Sequence, residues 1–138
     1  MGGFDGYEPM KSIEKADLSK PDPHFVELPR DKSLISPLKN SANILYDGKV
    51  YLIGGWDDKD TQDCIFCFDP KTEETTFVAK MPGRVEGHTV AVFGDVAYIV
   101  GGFDSFGVTD RIMKLNLKTM NTTVVPTRLL QKRENHTS

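Results

Sequence analysis

Two cysteines, three histidines and a run of aspartates are the residues of this 138-residue chain whose types and spacing could do chemistry. Cys64 and Cys67 stand in Cys64-Ile65-Phe66-Cys67-Phe68, the spacing of zinc and dithiol redox motifs. Zinc needs two further ligands at similar spacing, and a redox pair opens a helix whose N-terminal field lowers the thiol pKa. Neither context surrounds this pair. Its β-branched and aromatic neighbours describe a strand, where positions three apart face opposite sides, so the reading is two ordinary packed thiols. His24, His88 and His136 have no carboxylate or histidine companions at ligand spacing, and His88 and His136 are expected to orient a turn by hydrogen bonding to backbone. Asp57, Asp58, Asp60 and Asp63 lack the glycine and closing glutamate of a calcium loop and read as a solvated acidic segment. With no phosphate-cradling loop ahead of a helix and no G-x-S-x-G elbow, the chain is expected to carry no catalytic residue, no metal and no cofactor.

The elements that hold these residues must be soluble and rich in turns. Charged residues make up 27% of the chain and apolar ones 38%, with 12 glycines and 8 prolines. Seventeen basic residues against twenty acidic ones leave a net charge of −3, which gives no pull toward a nucleic acid backbone. No window approaches the roughly 18 apolar residues of a membrane helix, and no basic n-region opens the chain, so a cytoplasmic protein is expected.

Self-comparison organises the rest. Gly2-Gly3-Phe4-Asp5, Gly54-Gly55-Trp56-Asp57 and Gly101-Gly102-Phe103-Asp104 align, with the first glycines 52 and 47 positions apart. His88-Thr89 recurs as His136-Thr137, and Arg84 aligns with Arg133. Tyr51 and Tyr98 each stand three residues ahead of a diglycine. Within a unit the alternating runs predict four short strands: 41–46, 49–53, 63–69 and 75–80, then 88–93, 96–100, 111–117 and 122–126. Asp47-Gly48 supplies a hairpin turn between the first two. No stretch keeps helical periodicity for ten residues. The proline-rich segment 21–40 predicts one poor outer strand near 24–28 and an irregular loop.

These signs resemble the kelch repeat. Phe68-Asp69-Pro70, Met81-Pro82 and Arg84 also follow its pattern after the diglycine, whereas Thr75 and Thr122 replace its tryptophan and Leu115-Asn116-Leu117 replaces aromatic-Asp-Pro. The resemblance implies an all-β fold of four-stranded antiparallel blades set around a channel, and such propellers close with about 4 to 8 blades. About two complete blades and a partial one are expected: residues 1–40 as partial blade and loop, 41–87 as one repeat and 88–138 as another. The ring would not close, and a piece of a longer propeller or a truncated product is the expectation.

The resemblance further implies a protein-interaction module, with delivery of substrates to a cullin-type ubiquitin ligase through a BTB domain outside this chain, or actin binding, as candidate roles. Aromatics beside polar groups are the composition of interfaces. The partner-binding candidates are accordingly Trp56, Asp57 and Asp58 in one loop, Phe103, Asp104 and Ser105 in its counterpart, and Arg84, Glu86 and Arg133 between blades. The diglycines Gly2, Gly3, Gly54, Gly55, Gly101 and Gly102 are expected to be structural, since a tight strand exit excludes a Cβ. A propeller enzyme of oxidase or sugar-epimerase type is the alternative, for which Tyr51 and Tyr98 in strands and two cysteines on one strand are poor equipment.

Overall fold

The computed structural model describes residues 1–137, and apart from one 3-10 turn at Arg30–Lys32 its regular structure is all strand. Ten strands form three antiparallel sheets. β1 (Glu14–Lys15) pairs with β2 (Val26–Glu27). β3 (Ala42–Tyr46), β4 (Lys49–Ile53), β5 (Cys64–Asp69) and β6 (Glu74–Lys80) form a meander in chain order. β7 (Thr89–Phe93), β8 (Val96–Val100), β9 (Ile112–Asn116) and β10 (Thr122–Val124) form a second one. The strands of both meanders fall where period-two patterning places them, within one or two residues. The Asp47-Gly48 hairpin has φ of 49° and 71°, the left-handed pair that a two-residue turn matched to strand twist requires. The proline-rich segment yields the two-residue β2 and the 3-10 turn, and β1, the partner of β2, is not predicted by the sequence because two residues carry no period.

The sheets stack face to face, as alternation demands when both faces of a strand are apolar. Leu52, Phe66 and Phe68 of the middle sheet meet Ile13, Leu28, Leu34 and Leu38 of the N-terminal unit. Tyr51, Ile53, Ile65 and Cys67, on the opposite face, meet Ala97, Ile99, Met113 and Leu115 of the third sheet. The two first strands, β3 and β7, approach each other along one edge of the stack. Tyr46 Oη donates to Asp95 Oδ1 at 2.7 Å, tying one hairpin turn to the next. Two four-stranded blades and a two-stranded N-terminal unit thus stand side by side in an open array, and no helix among the described residues is long and apolar enough to cross a membrane.

Each diglycine sits at the same corner of its sheet. The second glycine N–H donates to the segment that leaves its own unit: Gly3 to the Leu38 carbonyl at 2.8 Å, Gly55 to Val85 at 2.9 Å and Gly102 to Arg133 at 2.8 Å. The first glycine leaves no room for a side chain. A Cβ on Gly54, at φ 57°, would fall 2.3 Å from the Val85 carbonyl oxygen, and one on Gly101 would fall 2.6 Å from that of Arg133. This register makes Val85, and not Arg84, the counterpart of Arg133. The aligned arginines therefore do not share a structural position, because sequence identity across a loop can slip by one residue where hydrogen bonding cannot.

Candidate functional site

A four-stranded meander sends its second-to-third-strand loop and its exit to the next blade out at one end, so these segments of all three units share a face. Their backbone is over-determined. Lys39 and Trp56 exchange two hydrogen bonds of 3.0 and 2.8 Å, and Glu86 and Phe103 exchange two of 2.9 and 2.8 Å. Asn40, Gly87 and Asn135 all adopt left-handed φ, between 50° and 57°, and form a ladder across the units: Gly87 N–H donates to the Asn40 carbonyl at 2.9 Å and Asn135 N–H to the Gly87 carbonyl at 2.7 Å.

On this frame the loops repeat one turn. Asp5 Oδ1 accepts the amides of Tyr7 and Glu8 at 2.8 and 2.9 Å. Asp57 Oδ1 accepts those of Lys59 and Asp60 at 3.1 and 2.9 Å. Asp104 Oδ1 accepts that of Phe106 at 3.2 Å. A side-chain carboxylate accepting amides two and three residues ahead is an Asx turn, which stiffens the loop. The Glu8 and Tyr7 amides hold the Asp5 carboxyl below its ordinary pKa. Asp57 and Asp104 are thereby committed to loop shape, and their recurrence one place after each aromatic was the sequence signal for that role. Asp58 and Ser105 take the strained left-handed positions, at φ 83° and 75°.

Two of the three turns present an aromatic residue at the tip, and the middle one presents Lys59. Tyr7 is 93% exposed and Phe106 is 98% exposed, equivalent positions that the sequence reading did not nominate. Trp56 lies lower, half-buried, with Lys39 Nζ 4.3 Å from its ring centroid. Phe103, half-buried, occupies the corresponding place in the third unit. The Glu86 carboxylate accepts from Asn40 Nδ2 at 3.0 Å and from Thr61 Oγ1 at 3.1 Å. Arg133 is exposed on the segment after the last strand, its carbonyl accepting from the Gly102 N–H beside Phe103.

Arg84 and the third loop do come together. A cleft of about 340 Å³ is lined by Pro82, Gly83, Arg84, Asp104, Ser105, Phe106 and Arg111. Arg84 pairs with Asp60, whose hydrogen bond and charge hold the guanidinium pKa up. Arg111, which the sequence reading passed over because it opens a strand run, donates to the Arg84 carbonyl at 2.9 Å and lies 3.7 Å from Asp104. Its guanidinium covers Gly83 so closely that a Cβ there would fall 2.7 Å from Nη1.

The residues first considered for chemistry are engaged elsewhere. Cys64 packs on the N-terminal side of the middle sheet and Cys67 is buried on the other side, and burial raises both thiol pKa values, away from a reactive thiolate. His88 is 6% exposed, and neither ring nitrogen has a hydrogen-bond partner. The polar group that favours its charged form is the Ile53 backbone. The side chain fills the space left by two diglycines, 3.1 Å from a Cβ position on Gly54 and 3.0 Å from one on Gly102. Burial, then the neighbouring His136, lowers its pKa to about 4.

Residues 37–82 match the family profile described as the Kelch motif. No curated protein matches the chain. Among solved structures, that of YjhT superposes with a TM-score of 0.76 over 96% of this chain at 14% identity, a likeness that shows the fold. The chain spans about half of that one, 51% of its length. The matched stretch spans the middle sheet, so that sheet carries a Kelch motif, and the same diglycine corner is built three times over in a fold shared with the YjhT structure.

Proposed function

We propose that the chain is a kelch-type protein-interaction module that contacts its partner through the face bearing the second-to-third-strand loops. One observation carries this reading: Tyr7 and Phe106, nearly fully exposed, stand on turns whose carboxylate caps keep them rigid. Exposed aromatics on a pre-ordered backbone lose little conformational freedom on binding, which is why they anchor interfaces. The cleft beside Phe106, with Arg84 and Arg111 on its wall, offers donors next to that anchor. Units 41–87 and 88–138 serve as scaffold for these loops, and 1–40 carries the Tyr7 loop. Kelch motifs generally mediate protein contacts. Actin filaments and a cullin ubiquitin-ligase complex are the finer candidates.

The test is capture from cell extract by the wild-type chain and by Tyr7→Ala/Phe106→Ala, matched for far-ultraviolet circular dichroism. A partner retained by the first and lost by the second supports the loop face, whereas equal retention removes it. Co-sedimentation with actin filaments and co-capture of a cullin then decide between the finer roles.

A further inference from the structure

Lys39 is held in a way that no other lysine of the described residues is. Its Nζ lies 4.6 Å from the ring centroid of Phe4 and 4.3 Å from that of Trp56, so two aromatic rings from adjacent units flank one ammonium group. No carboxylate among the described residues pairs with it; the rings are what stabilise the charge. Both contacts lie well within the range of about 6 Å in which a ring face attracts a cation, and two faces around one ammonium form the arrangement that recognises alkylated amines. The frame around the gap is fixed independently of Lys39's side chain: Trp56 is paired backbone to backbone with Lys39, and Gly3, beside Phe4, is bonded to Leu38. The gap therefore persists if the side chain leaves. Phe4 is 52% exposed, so the gap opens to solvent.

We propose that the space between the Phe4 and Trp56 rings is a binding site for an organic ammonium group, closed at rest by Lys39 acting as an internal occupant. A ligand ammonium enters by displacing the Lys39 side chain, which is long enough to return its charge to water. The site is distinct from the loop tips. Its failure would leave the reading of Tyr7 and Phe106 untouched, and theirs would leave this site standing.

Trp56 is the single tryptophan of the chain, so its emission reports on the site directly. Titrating the wild type and Lys39→Ser with choline, and with 3,3-dimethylbutanol as the uncharged isostere, is the experiment. The expected result is saturable quenching in Lys39→Ser at a concentration at least about tenfold below that needed by the wild type, no matching response to the alcohol, and loss of the effect in Phe4→Ala/Lys39→Ser. Equal choline affinity with and without Lys39, or an equal response to the alcohol, overturns the proposal. If Lys39→Ser does not fold, the wild type decides by itself. After reductive ¹³C-methylation of its lysines, the Lys39 resonance, identified by its loss in Lys39→Arg, is expected to be shifted by the rings and to move toward free-lysine values as tetramethylammonium is added. An unshifted or unresponsive resonance overturns it equally.

Discussion

Tyr51, Ile53, Ile65 and Cys67 on the middle sheet have their counterparts in Tyr98, Val100, Ile112 and Lys114 on the third. The two sets occupy the same register on the same strands and differ in what lies over them. The first set is covered by the third sheet and is buried throughout, Tyr51 at 8%. The second faces outward: Tyr98 is 36% exposed, Lys114 is exposed, and Phe93 beside them is 83% exposed. Blade geometry is therefore set within a unit by strand pairing and turn chemistry, whereas blade stability is set between units by whatever covers the face. Only one position records this in composition, the cysteine that becomes a lysine.

The diglycine corner gives the largest test of that contrast. Gly54→Ala drives a Cβ into the carbonyl of Val85, a buried residue fixed by the core, and is expected to cost ~3 kcal/mol or more, enough to leave the chain unfolded. Gly101→Ala meets the carbonyl of exposed Arg133, which can shift, and is expected to cost roughly half as much. Equal losses in urea unfolding would mean that strain at the glycine, and not docking of the next unit, governs the corner.

Truncating the paired isoleucines comes next. Ile65→Ala removes a fully buried side chain and is expected to cost about 2–5 kcal/mol, while Ile112→Ala, half-covered, costs about 1 kcal/mol. Comparable values would break the contrast between covered and open faces.

The paired histidines sharpen it through pH. His88 titrates at about 4 in the fold against its ordinary 6.5, so the neutral ring is the folded form. Its contribution is whole above pH 6.5, falls as acid protonates the unfolded chain, and is exhausted near pH 4, a loss of at most about 3 kcal/mol. His88→Gln is expected to flatten the stability profile between those two pH values. His136, half-buried at the same repeat position, is lowered in the same direction, by burial first and then by Arg133, and His136→Gln is expected to alter the profile less. A profile unchanged by His88→Gln would show that the ring is solvated in the fold.

Much of this architecture is legible in residue order because its determinants are local. The diglycines, the Asp47-Gly48 hairpin and the alternating runs each act over a few positions, and their spacing gave both the strands and the repeat. Exposure is less legible. Asp57 and Asp104, expected as partner contacts, cap turns as well; Phe106 and Tyr7, the exposed tips, are aromatics of kinds that elsewhere in the chain are core. An aromatic residue has the same identity buried or free, and Phe66 at 8% exposure and Phe106 at 98% differ only in whether another unit stands over them.

Strand, turn and repeat follow from the chain alone, since steric limits on φ and ψ and side-chain alternation operate between neighbours in sequence. Placement of Lys39 between two rings 52 residues apart, of His88 in the space two diglycines vacate, and of Arg111 over Gly83 depends on units that meet only after folding. Such contacts are chosen by close packing between sheets, which has no period and leaves no mark on residue order.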